Sequence, residues 1–333
     1  MNENGKPKFA MYWAAACGGC EIAVLNIHEK ILAVDANFEV VFWPVAMDAK
    51  YQDVEAMPDG AITLCLFNGS IRNSENEHMA RLLRRKSQIL VAFGSCACEG
   101  CIPALANLTT REAIFDTVYA GPSTENPQGL RPRSAWSAPE GELHIPEFYP
   151  VVRTLDQVVP VDYYIPGCPP ESRQIAAVID VVIEVLHGRA TLPPPGTVLG
   201  AGGSTVCDEC LRLRQEKKIN AFVRLQDIRP DPTRCLLEQG ILCNGPATRS
   251  GCGALCPLAG APCAGCYGPA DGVIDYGARL MSAVASVIDS NDPDEIEHIL
   301  DGIIDPAGMF YRFNLAGSLL HRGNPSGGNH RLS

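Results

Sequence analysis

Eight cysteines fall within the sixty residues from Cys207 to Cys266. They run as a CxxC pair at Cys207 and Cys210, then Cys235, Cys243, Cys252 and Cys256, then a second CxxC pair at Cys263 and Cys266. An iron-sulfur cubane is held by four thiolates, so eight thiols in a segment rich in Gly and Pro fit two 4Fe-4S clusters without remainder. The spacing predicts a chain that conducts electrons. Zinc fits less well, because structural zinc sites come as two regularly spaced pairs and here the inner cysteines come singly.

The whole chain carries 15 cysteines in 333 residues, too dilute for a disulfide-stapled miniprotein and too many for an ordinary cytosolic enzyme. Metal binding is the natural use. The opening MNENGKPKFAMYWAAACGGCE has neither a basic start leading into a long apolar stretch nor a twin-arginine pair, which predicts a cytoplasmic protein. The longest apolar run, IAAVIDVVIEVL at 175–186, is interrupted by acids and too short to span a bilayer, so no membrane span is expected. A net charge of -11 argues against a broad nucleic-acid surface, which needs basic excess.

The first half reads as an open α/β sheet. Short apolar runs KFAMYWA, FEVVFWPV, AITLCLF and QILVAFG recur with amphipathic segments between them, and they lack the clean alternation of a half-solvated strand. Burial on both faces by crossover helices gives that pattern, so the strands should be parallel. Helices are expected at about 20–34, 73–86, 110–119 and 171–187, and later at about 271–290 and 293–304. Residues 121–150 hold six prolines and little periodicity, which predicts a long irregular excursion. The PPPG run at 193–196 and GAGG at 200–203 break the last long helix from the cysteine-rich segment, placing a boundary between domains at 1–195 and 196–333. GAGG reads as a hinge, since no Lys-Ser/Thr follows to grip a nucleotide.

The first half has cysteines of its own. CGGCE at 17–21 follows the first strand, Cys96 lies in GSCACEG after another, and Cys168 lies in PGCPP after VDYYIP. Loops at the carboxyl edge of one parallel sheet converge, so Cys17, Cys20, Cys96 and Cys168 can close around a third cubane. The flanking glycines permit tight turns with backbone amides free to bond sulfur. Alone, CGGC would also suit a redox dithiol or half a zinc site.

CGGCE, GSCACEGCIP, PGCPP, CNGPATRSGCGALCP and APCAGCYGP together resemble the small subunit of NiFe hydrogenases, over nearly the whole chain. The resemblance implies a flavodoxin-like first domain holding a proximal cluster against a NiFe centre in a separate large subunit. A smaller, irregular iron-sulfur domain with helices would hold medial and distal clusters. By the family's motif the proximal ligands are Cys17, Cys20, Cys96 and Cys168. Following the family's chain order, Cys207, Cys210, Cys235 and Cys243 are distal ligands, and Cys252, Cys256, Cys263 and Cys266 are medial. Periplasmic members have His where Cys207 stands and Pro where Cys256 stands, the latter usually giving a 3Fe-4S medial cluster. Thiolate at both positions implies three low-potential 4Fe-4S clusters here, because more negative ligation lowers reduction potential.

These departures, with the tail GMFYRFNLAGS, are similar to the cytoplasmic hydrogenases of methanogens and certain anaerobes, in particular the methyl-viologen-reducing type that supplies heterodisulfide reductase. The implied role is an electron relay in an H2:acceptor oxidoreductase, with no catalytic residue on this chain. The implied partners are the NiFe large subunit and a downstream electron acceptor, such as an iron-sulfur adaptor and heterodisulfide reductase. Two other readings are a stand-alone ferredoxin-like carrier and a hydrogen-sensing homologue. A third, the cluster-bearing subunit of a complex-I-type enzyme, has adjacent cysteines at its first site, whereas two glycines separate Cys17 from Cys20.

Several residues remain outside these sets. Cys98 and Cys101 exceed the ligand count and are expected to pack near the cluster, although either could exchange for a proximal ligand or act as a fifth thiol. Cys65 inside AITLCLF reads as a small buried hydrophobe. Glu21 reads as a first-turn acid favoured by the helix dipole, with proton movement at the subunit boundary as its alternative role. His28 reads as a packing or surface residue on the first helix, and none of the seven histidines is paired at metal spacing. LRLRQEKK at 211–218 reads as a solvated helix face or a contact for an acidic redox partner.

Overall fold

Five parallel strands form the central sheet: β1 (Lys8–Trp13), β2 (Glu39–Phe42), β3 (Ile62–Asn68), β4 (Ser87–Phe93) and β5 (Tyr163–Ile165). Their order across the sheet is β2-β1-β3-β4-β5. That is the 2-1-3-4-5 order of the flavodoxin-like doubly wound sheets. The computed structural model of the chain describes residues 5–215 and 218–320.

Alternate residues of β1 feed two cores, which is why its apolar run shows no polar alternation. Phe9 and Met11 face a cluster with Val24, Ile27, Phe38, Trp43, Phe93 and Ile175. Ala10 and Tyr12 face the other, with Phe42, Phe67, Met79, Leu83 and Leu90. The helix Ser74–Lys86 covers this second face. Asn73 caps it by accepting from the Asn76 amide at 2.8 Å, Glu75 and Glu77 lie in its first turn, and Arg84, Arg85 and Lys86 lie in its last. That charge order complements the macrodipole. The helix Ser172–Leu186 covers the opposite face.

A third core gathers in the second half from Leu236, Leu237, Ile241, Leu242, Tyr276, Leu280, Val284, Phe310 and Tyr311, joined by Ala104 and Val152 of the first half. The helices here are short: Tyr276–Ala285, Pro293–Leu300 and Pro306–Tyr311. Asp275 ties two of them together. It caps the Ala278 amide at 2.8 Å, accepts the Tyr311 hydroxyl at 3.0 Å and accepts the Leu319 amide at 2.8 Å.

Four expectations need correction. The helix foreseen at 20–34 is interrupted: Gly19–Leu25 ends, His28 takes a φ of 54°, and a second helix runs Ile31–Asn37. His28 therefore sits at a break in the chain direction, on a short 3-10 turn. The helix foreseen at 271–290 is confined to Tyr276–Ala285, because Asp275 caps its start. The excursion at 121–150 contains a hairpin, Ala135–Ala138 with Gly141–His144, and then Phe148–Arg153 pairs antiparallel with Ile71–Asn73. Finally, the described residues of LRLRQEKK form no helix face. Arg212 is buried and donates to the carbonyls of Pro257, Asp231 and Arg234, so it staples the loops around the cysteines, while Glu216 and Lys217 lie outside the described residues.

Candidate iron-sulfur sites

The four candidate ligands of the first half follow the carboxyl ends of β1, β4 and β5. Cys17 and Cys20 flank the turn between β1 and the helix Gly19–Leu25, where Gly18 takes a φ of 83°. Cys17 is exposed and accepts the Gly19 amide at 3.4 Å, while Cys20 is buried. Cys96 opens the one-turn helix Ser95–Glu99 that follows β4. Cys168 follows β5, and the two loops are laced together: Ser95 N–H donates to Gly167 O at 2.8 Å, and Gly167 N–H donates to Ser95 Oγ at 3.1 Å. Gly94 is required where it stands. Its φ is 80°, and a Cβ there would lie 2.4 Å from Cys20 Sγ.

Burial raises the Cys20 thiol well above its ordinary range, and the neighbouring Glu21, Cys168, Cys17 and Cys101 add to the effect. The Cys168 thiol is raised by its bond with Cys101 and by burial. Glu21 is in the first helical turn as expected, yet it is only 3% exposed. Its Oε2 accepts Asn68 Nδ2 at 2.7 Å, its Oε1 has no hydrogen-bond partner, and burial raises its carboxyl above the usual range.

The second half gathers its thiols in two neighbourhoods. Cys207 is pushed up to about 12 by burial and then by the Cys243, Cys235 and Cys210 sulfurs, with Arg214 acting against them. Cys266 is pushed up to about 12 by burial, opposed by a hydrogen bond from the Cys168 backbone, with Cys252, Cys256 and Cys168 adding to the rise. Cys263 stands between the neighbourhoods: burial and then Cys243 raise it, Thr248 and the Gly265 backbone lower it, and Cys266 raises it again. Its backbone N–H donates to Cys243 Sγ at 3.3 Å. A succession of neighbouring sulfurs thus runs from Cys168 to Cys266, Cys263 and Cys243 through the interior.

The surroundings suit thiolates bound to iron. Backbone groups of Ala254 and Leu255 bond Cys252, and those of Gly245 and Cys263 bond Cys243. N–H donors aimed at sulfur are what stabilise a cluster's thiolates and tune its potential. Gly245 leaves the space that a Cβ would take 3.2 Å from Cys207 Sγ. Among the described residues no three His, Cys, Asp or Glu side chains are grouped as for a single metal ion. A cubane spreads its thiolates over four irons, so its ligands sit farther apart than those of one ion.

Cys98 and Cys65 are packed as expected. Cys98 Sγ turns into the sheet toward the carbonyls of Ala92, at 3.3 Å, and Ile165. Cys65 is fully buried in β3, and burial pushes its thiol up to about 12. Cys101 is different: its Sγ lies 3.6 Å from Cys168 Sγ, in a small core with Cys96, Phe313, Cys168 and Cys266. Sequence reasoning also missed Ser95, whose hydroxyl donates to the Cys266 carbonyl across the two halves, and Tyr267, whose hydroxyl donates to Gln174 at 2.8 Å. Both contacts join residues far apart in the chain, and no local pattern announces them.

Known proteins are similar to this chain. The family model described as NADH ubiquinone oxidoreductase, 20 Kd subunit, matches residues 17–182. The chain is 40% identical over 323 residues to the iron-sulfur subunit of the F420-non-reducing hydrogenase of Archaeoglobus profundus, covering 95% of this chain and 98% of that protein. It is 37% identical over 318 residues to a vhu subunit of the F420-non-reducing hydrogenase of Methanocaldococcus jannaschii, covering 95% and 97%. Among solved structures, an NAD+-reducing [NiFe]-hydrogenase in the H2-reduced state matches with a TM-score of 0.47 and 28% identity, over 57% of this chain and 96% of that one.

Proposed function

Given that the chain belongs to the iron-sulfur small subunits of the F420-non-reducing NiFe hydrogenases, we propose that it relays electrons through three 4Fe-4S clusters between a NiFe site on the large subunit and an external redox partner. The proximal cluster is held by Cys17, Cys20, Cys96 and Cys168. The medial one is held by Cys252, Cys256, Cys263 and Cys266, and the distal one by Cys207, Cys210, Cys235 and Cys243. When bound, the clusters supply one-electron carriers. The chain's own residues supply thiolates, N–H donors to sulfur and exclusion of water.

The observation that carries this reading is the run of neighbouring sulfurs from Cys168 through Cys266 and Cys263 to Cys243. Each proposed set has a member next to the following set, as a relay requires. The large subunit covers the face around exposed Cys17, where the partly open Trp13 ring lies against Gly18. Apolar exposure of this kind suits an obligate interface. The chain divides at 195/196 into a flavodoxin-like domain and an iron-sulfur domain. The third core comes mostly from the second half, which supports that division, with Ala104 and Val152 reaching into it from the first half and residues 197–199 extending the first by bonding Tyr164. The enzyme works in the cytoplasm and delivers electrons from the distal cluster to heterodisulfide reductase through an iron-sulfur adaptor. Among the described residues no helix is long and apolar enough to cross a membrane.

Anaerobic purification of the tagged chain, with iron, nickel and co-purifying proteins quantified together, tests the proposal. About twelve irons per chain, with nickel on a stoichiometric larger partner and a heterodisulfide reductase component, is the expected result. Iron without nickel or partner would favour a free electron carrier, and zinc in place of iron would end the electron-transfer reading.

A further inference from the structure

Thr248 lies in the run CNGPATRSGC and is only 1% exposed. Its Oγ1 stands 3.5 Å from Cys263 Sγ. Tyr276, buried at the start of the helix Tyr276–Ala285, brings its hydroxyl to 2.8 Å from the same Oγ1. Gly265, inside the CAGC pair, makes room for that hydroxyl, since a Cβ there would lie 2.3 Å from it. Two buried hydroxyls from distant parts of the chain thus line up behind one candidate ligand sulfur.

The bonds of the Thr248 hydroxyl depend on the state of that sulfur. As a free thiol, Cys263 donates its S–H to Thr248, which donates in turn to the Asn244 carbonyl at 2.7 Å. A sulfur bound to iron has lost its proton and can only accept. The hydrogen between the two atoms must then be that of Thr248, because the alternative sets an oxygen lone pair against a charged sulfur in a buried site. Turning the hydroxyl leaves nothing unpaired, for the Asn244 carbonyl still accepts the Ala247 and Thr248 amides at 3.2 and 3.1 Å. With the Thr248 hydrogen committed, Tyr276 is the donor to the Thr248 oxygen, and a donor on that oxygen strengthens the bond the hydroxyl makes.

We infer that Thr248 donates its hydroxyl hydrogen to the iron-bound Cys263 sulfur and so raises the potential of the cluster held there, with Tyr276 as the residue that positions Thr248. This rests on the medial set proposed above. A hydrogen bond to sulfur favours the reduced cluster, which carries the greater negative charge.

The test is redox-poised EPR, together with iron content, of the heterodimer co-produced with its large subunit and purified without oxygen. Thr248→Val should keep about twelve irons per small subunit, while the midpoint potential of one cluster becomes more negative. The expected shift is on the order of three- to tenfold in the ratio of reduced to oxidised cluster at a fixed poise, about 28–59 mV for one electron. Thr248→Ser keeps the hydroxyl and should hold the unaltered potential. Tyr276→Phe should move the potential in the same direction as Thr248→Val, but by less. Unchanged potentials in Thr248→Val, or an equal shift in Thr248→Ser, overturn the inference. If Thr248→Val loses iron or does not accumulate, Tyr276→Phe decides, and an unmoved potential there overturns the inference. Fewer than about twelve irons in the unaltered protein would instead remove the three-cluster reading, and the inference with it.

Discussion

The backbone amide of Cys263 donates to the sulfur of Cys243 at 3.3 Å, so the two cysteine neighbourhoods of the second half meet through one hydrogen bond. An N–H bond to a thiolate stabilises its charge, and deleting the acceptor leaves the amide buried and unpaired. Cys243→Ala should therefore cost about four of the about twelve irons proposed and also shift the potential of the cluster assigned to Cys263 in that proposal. Redox-poised EPR reads both effects. Loss of all eight irons of the second half would show that the two sets are not separate sites.

Cys256 is exposed at the start of the short helix Leu255–Leu258, beside Cys252 and Cys266. Replacing it with Pro or Ala removes one ligand of the proposed medial set. One cluster should convert toward a three-iron form with its characteristic oxidised EPR signal, and the other two should keep their spectra. Spectra unchanged in both variants would break the medial assignment.

At Gly94 a methyl group would collide with Cys20 Sγ at 2.4 Å, on a backbone whose φ of +80° already disfavours a side chain. Strain of this kind costs about 1–3 kcal/mol before any ligand is displaced. We expect Gly94→Ala to lose about four irons, those of the proximal set, with the second half still loaded. A variant retaining its full iron content would show that Cys20 is not held where the proximal set needs it.

Glu77 accepts Arg81 Nη2 at 2.7 Å and also accepts Arg153 Nη2. Burial alone would raise its carboxyl, but the bonds from Arg81, Arg153 and Tyr149 win and hold it at about 2. A folded-state value below the unfolded one adds stability that is complete above the unfolded value and lost as pH falls toward about 2. Allowing for partial exposure, the contribution is on the order of 1–2 kcal/mol. Glu77→Gln should therefore lower stability at pH 7 and flatten the acid limb between roughly pH 4.5 and 2. Denaturant melts at several pH values check this, and an acid limb identical to that of the unaltered chain would refute it.

Asp275 is 7% exposed and serves three donors: the Ala278 amide, the Tyr311 hydroxyl and the Leu319 amide. Asp275→Ala removes a helix cap and strands buried donors, which costs about 2–4 kcal/mol. The tail of this variant should become the first part of the chain cut by protease, because Asp275 joins the helix Tyr276–Ala285 to Tyr311 and Leu319. Unchanged melting and cleavage would mean that water replaces the carboxylate without loss.

The sequence by itself determined the thiol inventory, the parallel sheet and the edge at which Cys17, Cys96 and Cys168 meet. Those features are local: apolar runs buried on both faces reveal strands, and a Gly-Cys turn after a strand reveals its carboxyl end. Tertiary structure decided which surplus thiol faces the site. Cys98 and Cys101 look alike in GSCACEGCIP, but the one-turn helix Ser95–Glu99 directs Cys98 into the sheet. The positive φ at Cys101, fixed by Phe313 from the far end of the chain, turns the other toward Cys168. Packing likewise broke the first helix at His28 and buried Arg212 under three distant carbonyls. The physical reason is common to all three. Each depends on partners or backbone angles set by the packed chain, and residue type and spacing carry no record of them.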